Sequence, residues 1–175
     1  GKLAEAEPFE REAMEKCRRV LGAEHPNTRI STINTGSLLQ AQGKNAEAVS
    51  LLAPIEDAAR KAFTGATARW LAKLLTVLGK ARAASGEFSA AEASLLEAHP
   101  VFVTTRGATH KDTRDCARAI VDLYTAWNAR EPGKGYDARA AEWKVRLDAM
   151  GPRGAEPGPA KKQRAADERG NRAGG

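Results

Sequence analysis

Aromatic residues are scarce in this sequence, and its two cysteines are isolated. Phe, Trp and Tyr make up 5% of the 175 residues, and Cys17 and Cys116 stand far apart without another cysteine or a histidine at metal-ligand spacing. This pattern favours two neutral structural thiols over a disulfide or a metal site. Nothing in it requires an oxidising compartment, so we expect a cytoplasmic location.

Long apolar runs and catalytic motifs are also missing. No stretch of 18 apolar residues is present, so we predict no membrane span within this chain. The glycine-rich loop, the strand lysine and the HRD-type and DFG-type motifs of a protein kinase are absent from the sequence. The segment EPGKG, Glu131–Gly135, lacks the leading glycine and the following Ser or Thr of a phosphate-binding loop. We therefore predict no catalysis, no cofactor and no metal ion for this chain.

Alanine, by contrast, is abundant, and a short phrase recurs along the chain. The sequence contains 35 alanines, which favour helices that pack closely. GAEHPNTR at residues 22–29 returns as GATHKDTR at 107–114, and a weaker copy, GATARWLA, begins at Gly65. Copies of a second phrase begin at Gly1, Gly43, Gly86 and Gly135. A repeat of about 42 residues predicts a solenoid, in which each unit buries its apolar face against its neighbours.

Apolar residues at spacings of three and four predict seven helices in antiparallel pairs. The predicted helices span residues 2–21, 26–42, 45–63, 67–84, 88–103, 112–129 and 137–150. Pro54 is expected to kink the third helix, and His99 with Pro100 to bend or shorten the fifth. The apolar face of the first helix consists of Leu3, Ala6, Ala13, Cys17, Val20 and Leu21.

Small residues recur at a fixed distance from alanines. Gly36 lies twelve positions before Ala48, and Gly79 lies twelve positions before Ala91. This combination resembles the tetratricopeptide repeat, in which the two small residues let paired helices touch. The repeat length, the GxxHPxT opening and the QGKNAEA turn at Gln42–Ala48 are similar to the kinesin-light-chain type of that repeat.

This resemblance covers residues 1–150 and implies an all-α solenoid that binds other proteins. It implies an incomplete first repeat followed by repeats at residues 22–64, 65–106 and 107–150. In the last repeat Val121 stands at the position equivalent to Gly36 and Gly79. Ala140 stands at the position equivalent to Ala48 and Ala91, after an expanded turn at Asn128–Gly135. We expect looser helix packing there.

The C-terminal residues 151–175 differ in composition from the repeats. They contain six glycines, three prolines, six basic and three acidic residues, and no aromatic residue. Such a segment cannot bury enough surface to offset its ordering entropy, so we predict a disordered basic extension. Its KKQR segment, Lys161–Arg164, offers an alternative function through charge contacts with nucleic acid or with anionic lipid. The interleaved acids and the absence of aromatics disfavour nucleic acid as a partner.

The last repeat carries a more specific likeness. DTRDCARAIVDLYTAWN at residues 112–128 resembles the C-terminal end of tetratricopeptide arrays appended to bacterial serine/threonine protein kinases. The chain also begins inside a repeated phrase, so we expect it to be the C-terminal part of a longer protein. The alternative function is therefore a docking or regulatory region of such a kinase, whose catalytic domain would lie upstream, in some members after a membrane span.

In the tetratricopeptide family the first helix of each pair lines a concave surface, and this implies a groove that binds a partner protein or peptide. The residues that the repeat register assigns to the groove are Ile30, Ile33, Asn34, Ser37, Gln40, Lys73, Thr76, Lys80, Asp115, Arg118, Asp122 and Thr125. Asn34 and Ser37 are expected to bond to the backbone of the partner. Lys73, Lys80 and Arg118 are expected to meet acidic side chains. An ordinary solvated helix surface without a ligand is the alternative.

Histidines and tryptophans offer other candidate sites. His25 and His110 occupy equivalent places in their phrases, but a whole repeat separates them, so they cannot converge on one metal ion. We predict both to be structural residues at helix starts. Trp70, Trp127 and Trp143 lie on apolar helix stripes, which predicts core packing, with ligand anchors as the alternative.

Overall fold

The computed structural model describes residues 2–151, and within them all regular structure is helical. The helices are α1 Lys2–Leu21, α2 Pro26–Ala41, α3 Asn45–Leu52, α4 Glu56–Ala62, α5 Ala68–Ala84, α6 Phe88–Arg106, α7 Lys111–Arg130 and α8 Tyr136–Ala149. Short 3-10 turns occupy Ala53–Ile55 and Gly65–Thr67. The all-α prediction is confirmed, while the predicted basic extension lies outside the described residues apart from Gly151.

Consecutive helices form pairs, and the pairs stack in chain order. α2 packs on α1 and α3, α5 packs on α6, and α7 packs on α8. The pairs are joined because α5 also contacts α2, α3 and α7, and α6 contacts α7. Contacts confined to neighbouring units are characteristic of a helical solenoid. The predicted solenoid architecture is therefore confirmed.

Two short turns of the same construction join the helices of the central pairs. The φ angle is 78° at Gly43 and 82° at Gly86, a left-handed conformation that glycine adopts without strain. The residue after each glycine donates a backbone hydrogen bond to the last turn of the preceding helix. Lys44 N–H donates to Leu39 C=O, and Glu87 N–H donates to Arg82 C=O, both at 2.9 Å. This turn reverses the chain within three residues, so the second helix folds back on the first.

Proline affects two predicted helices differently. The helix predicted over residues 45–63 is divided into α3 and α4 by the 3-10 turn that contains Pro54. The helix with Pro100, which we expected to bend or shorten, instead continues to Arg106. Phe102, beyond that proline, is only 3% exposed and Val101 packs against the core. Their burial explains why the helix extends past the proline.

The core is centred on α5, which contacts helices on both sides. Nine of its residues are buried, and its largest fully buried side chains are Leu74, Leu75 and Leu78. Gly36 of α2 and Gly79 of α5 are helical positions where another helix approaches closely. A Cβ atom on Gly36 would lie 2.6 Å from the Leu52 side chain. Ala48 and Ala91 are completely buried, and Ala140 is partly buried against the core.

Aromatic side chains fill the space between α6, α7 and α8, where we expected looser packing. Trp127 stacks on Tyr136 with ring centroids 4.1 Å apart and on Phe88 at 5.5 Å. Tyr124 stacks on Tyr136 at 6.4 Å, and its hydroxyl donates to Glu92 at 2.5 Å. Tyr136 follows the expanded turn directly, and both Tyr136 and Val121 are partly buried against the core, so large side chains occupy this interface.

The first helix is the least buried of the long helices. Met14 is its only buried residue, whereas Leu3, Val20 and Leu21 of the predicted apolar face are exposed. Ion pairs tie α1 to the start of α3, with Glu7 2.7 Å from Lys44 and Arg11 2.8 Å from Glu47. The bonds to Lys44 and Arg11 lower the pKa of Glu7 to about 2.

Across residues 2–151 there is no helix with both the length and the apolar character needed to cross a membrane.

Candidate functional site

A cleft of about 400 Å³ opens between α2, α5 and the start of α7. Its walls are Ser37, Gln40, Ala41, Arg69, Trp70, Lys73, Thr76, Val77, Lys80, Phe102, Arg106, Lys111, Asp112 and Asp115. α2, α5 and α7 are the first helices of successive pairs, so they come together here although about 40 residues separate each from the next in sequence. We call this space the concave cleft.

Most of the predicted groove residues meet at this cleft. Ser37, Gln40, Lys73, Thr76 and Lys80 all line it. Asn34 lies beside it, because its side-chain oxygen accepts a hydrogen bond from Lys73 Nζ at 2.8 Å. Asp115 of α7 lines it as well, so the structure brings together seven predicted groove residues that are spread over three predicted repeats.

Ile33 and Arg118 are placed differently from the prediction, and Thr76 lines the cleft but has no free donor. Ile33 is completely buried in the core, because α5 packs against that side of α2. Thr76 is only 7% exposed and its hydroxyl donates to the Ala72 carbonyl at 2.8 Å, so its donor is already used. Arg118 is exposed on α7 and does not line the concave cleft.

A second, smaller cleft continues the concave surface along α5 and α7. Its volume is about 360 Å³, and Gln40 and Lys80 line both clefts. Asp122 and Leu123 of α7 form the far wall. The two clefts therefore form one continuous surface with Gln40 and Lys80 at its centre.

Lys73 has the most unusual environment in the concave cleft. Its ammonium group is partly buried, and this burial lowers the pKa of Lys73, with the charge of Asp112 opposing the shift. The hydrogen-bond acceptor of Nζ is the neutral amide oxygen of Asn34. Because the Asn34 amide carries no charge, this bond does not neutralise the partly buried ammonium group. The ammonium group is therefore prepared to pair with an anion that enters the cleft.

Trp70 forms an apolar wall beside this lysine. The guanidinium of Arg69 and the ammonium of Lys73 each lie 5.5 Å from the centroid of the Trp70 ring. Trp127 and Trp143 are only 8% exposed, which confirms the prediction that they are core residues. Trp70 is partly buried against the core and also faces the cleft. Its ring holds both cations by cation–π attraction.

The charges around the concave cleft are unequal. Five basic side chains line it, against the two carboxylates of Asp112 and Asp115. Asp112 lies 3.7 Å from Arg106, and Asp115 lies 2.9 Å from Lys111. The lining keeps a formal charge of five minus two, or three positive charges. Such a surface attracts acidic groups.

Sequence reasoning missed three of the basic residues, Arg69, Arg106 and Lys111. Arg69 precedes a tryptophan assigned to the core, and Arg106 ends α6, a second helix of its pair. The family register assigns the groove to first helices alone, so it gave no signal for a residue at the end of α6. Lys111 begins α7, and its place one turn before Asp115 was the available signal.

Both repeated histidines cap helices, as predicted. His25 Nδ1 accepts from the Asn27 N–H and His110 Nδ1 accepts from the Asp112 N–H, each at 3.1 Å. These bonds satisfy N–H groups that have no partner within the helix. Residues 2–151 contain no group of three His, Cys, Asp or Glu side chains arranged to hold a metal ion.

Comparison with known protein families agrees with the helix pairing. The tetratricopeptide repeat family model matches residues 1–61. The match spans α1, α2, α3 and most of α4, and it supports a tetratricopeptide repeat in that part of the chain. Repeats of this family generally mediate contacts between proteins and are typically non-catalytic. The search of curated proteins gave no match to this sequence.

Proposed function

We propose that this chain is a non-catalytic interaction scaffold that holds an acidic segment of a partner protein in the concave cleft. The observation that carries the proposal is the partly buried Lys73 ammonium, bonded to a neutral amide within a lining of three excess positive charges. A carboxylate that replaced water around Lys73 would form a charge-assisted hydrogen bond where screening is reduced. Bonds of this kind contribute about 1.5–3 kcal/mol.

The shape of the cleft suits a peptide better than a compact small molecule. It continues into the second cleft past Gln40 and Lys80, so the concave surface is elongated along the stack of helices. The amides of Asn34 and Gln40 and the hydroxyl of Ser37 supply polar groups that a peptide backbone can use. The resemblance of the repeats to the kinesin-light-chain type is compatible with a peptide bound in the concave cleft.

A binding experiment with designed probes tests this proposal. Fluorescein-labelled twelve-residue peptides of alternating Glu and Ala would be compared with Gln/Ala and Lys/Ala peptides by fluorescence anisotropy. We expect the Glu peptide to bind, the other two to bind at least tenfold more weakly, and the affinity to fall with added salt.

Variants of the chain locate the site. The combination Asn34→Ala, Lys73→Gln and Lys80→Gln should weaken binding of the Glu peptide at least tenfold. Lys144→Gln, at an exposed position of α8, is the matched control and should bind as the unmodified chain does. Equal affinity for the Glu and Gln peptides, or an unchanged affinity in the triple variant with unchanged helicity, would rule the proposal out.

A second proposal rests on the sequence of α7. Residues 112–128 resemble the last repeat of arrays attached to bacterial serine/threonine protein kinases, so this chain would be the docking or regulatory region of such an enzyme. Sequencing the gene upstream of the Gly1 codon tests it. A kinase domain in the same reading frame would support the proposal, and a reading frame with repeats alone would remove it.

A further inference from the structure

The hydrogen bond of Lys73 differs from those of several other lysines in residues 2–151. Its side chain is partly buried in the wall of the concave cleft, and Nζ donates to the uncharged amide oxygen of Asn34 at 2.8 Å. Other lysines bond directly to carboxylates, which stabilise the charged ammonium form. These pairs are Lys16–Glu12 at 2.6 Å, Lys44–Glu7 at 2.7 Å and Lys111–Asp115 at 2.9 Å. The bond to Asn34 gives the ammonium form of Lys73 no such support.

The surroundings of Lys73 also weaken its hold on the proton. Desolvation by burial is the main cause of its lowered pKa, and the positive charge of Lys111 lowers the pKa further. The carboxylates of Asp112 and Glu10 oppose this shift. A lysine that is desolvated and close to another cation is neutral for a larger fraction of the time. The neutral amine is the nucleophilic form of lysine, so the side chain is activated for attack on an electrophile.

The concave cleft concentrates small anions beside this amine. Its lining has three excess positive charges, and such a surface raises the local concentration of anions. The guanidinium of Arg69 and the Lys73 ammonium lie at the same distance, 5.5 Å, from the centroid of the Trp70 ring. A guanidinium presents a planar fork of donors that suits a phosphate group. The volume of about 400 Å³ lies within the range in which proteins hold small molecules.

We propose that Lys73 is a modification site that reacts with small acyl phosphates, and that its acylation blocks the binding of acidic segments in the concave cleft. The neutral amine attacks the acyl carbon, so that a C–N bond forms while the C–O bond to the phosphate group breaks. Inorganic phosphate leaves with the bonding electron pair, and the surplus proton on the nitrogen passes to water. The product is an uncharged amide.

The cleft thereby loses the cation that we assign to a carboxylate of the partner. This effect on binding rests on the function proposed above, whereas the acylation of Lys73 does not depend on that function. The two statements therefore need separate measurements.

Mass spectrometry of the 175-residue chain treated with acetyl phosphate near neutral pH tests the acylation. We expect Lys73 to be acetylated roughly fivefold faster than Lys144, an exposed lysine of α8, or faster still. Lys80 lines the same cleft and shares its attraction for anions, so Lys73 should also react faster than Lys80. The excess over Lys144 should shrink towards about pH 10, where ordinary lysines also become neutral.

Asn34→Asp tests the local cause of this reactivity. Aspartate has nearly the shape of asparagine but places a carboxylate against Lys73 Nζ, and an ion pair there stabilises the ammonium form. Acetylation of Lys73 should fall to about the rate of Lys144, while the rate of Lys144 and the helicity by circular dichroism stay unchanged. An unchanged rate at Lys73 would contradict the role of its uncharged acceptor.

Partial acetylation tests the effect on the cleft. The fraction of chain that binds the labelled Glu peptide should fall in proportion to the fraction acetylated at Lys73. Lys73→Arg keeps a cation without an amine that can be acylated. Compared with its own untreated sample, this variant should lose little binding under the same treatment. Equal losses in the two chains would assign the effect to other lysines.

The two proposals fail separately. If the untreated chain does not bind the Glu peptide, the proposed function is wrong, and the acetylation rates still decide whether Lys73 is a modification site. Acetylation of Lys73 that is no faster than that of Lys144 or of Lys80 would overturn the modification site. Full binding by chain acetylated at Lys73 would overturn its effect on the cleft.

Discussion

Leu95 of α6 lies directly against the backbone of α5 at Gly79, so that a Cβ atom on Gly79 would be 2.6 Å from Leu95 Cγ and 3.2 Å from the Ala91 carbonyl oxygen. This contact joins the two helices of the central pair. At the equivalent position in the preceding pair, Gly36, the three heavy atoms nearest to such a Cβ atom all belong to the Leu52 side chain, at 2.6–2.8 Å. The two glycines therefore differ in how far their neighbours can move.

We predict that Gly79→Ala destabilises the protein more than Gly36→Ala. Overpacking typically costs about 1–3 kcal/mol, and the higher helix propensity of alanine offsets up to about 1 kcal/mol. At Gly79 a backbone carbonyl limits relaxation, whereas at Gly36 the Leu52 side chain can change rotamer. Urea unfolding followed by circular dichroism measures both free energies, and an equal or smaller loss at Gly79 would contradict the prediction.

Removal of the His110 cap should destabilise α7. His110→Ala removes the acceptor for the Asp112 N–H and should lower the free energy of unfolding by about 1 kcal/mol. His110→Asn is the matched control, because asparagine is a favoured cap and should retain most of the stability. Urea unfolding distinguishes the two, and equal losses in both variants would argue against a capping role.

The aromatic stack should stabilise the last helix pair through Tyr136. Tyr136→Leu keeps apolar bulk but loses the stacking on Trp127, so we expect a loss of about 1 kcal/mol. Tyr136→Ala should cost about 2 kcal/mol, since it also leaves a space between α7 and α8. Val145→Ala, at an exposed site of α8, should change the stability by less than about 0.5 kcal/mol. Thermal unfolding of the three variants ranks these losses.

Stability should fall in mild acid because of His99. Its ring lies edge-on to Trp143 at 4.9 Å, and burial together with the charge of Arg146 lowers the pKa of His99. The unfolded chain binds this proton near pH 6.5 and the folded chain only at lower pH, so folding loses stability as the pH decreases below about 6.5. The free energy of unfolding measured at pH 7.5, 6.5 and 5.5 should show this slope.

His99→Leu should make that slope shallower, and so should Arg146→Met, which removes the nearby positive charge. The carboxylates of the protein add their own pH dependence, so the informative quantity is the difference between each variant and the unmodified chain. An identical slope in His99→Leu would show that another group is responsible.

Local sequence information was sufficient for the helices and their order. Alanine content and apolar spacing predicted seven helices, one of which is divided into α3 and α4, and the glycines of the repeated phrases marked turns such as those at Gly43 and Gly86. Capping by His25 and His110 also followed from their places in the sequence. These features depend on interactions within a few residues, which a single segment contains.

The composition of the cleft depended on the tertiary structure. Asn34 and Lys73 come from different helix pairs, and Arg106 reaches the cleft from the end of a helix that sequence reasoning had ended before it. Ile33 was expected in the groove but is buried because α5 covers that side of α2. Which face of a helix is covered is decided by helices distant in sequence.

The sequence by itself therefore determined an all-α chain of paired helices with a repeat of about 42 residues, because hydrophobic spacing and turn chemistry act locally. The stacking of the pairs decided which charges converge around Lys73 and which tryptophan faces the cleft. Those properties arise from contacts between helices about 40 residues apart, and spacing within one helix carries no information about them.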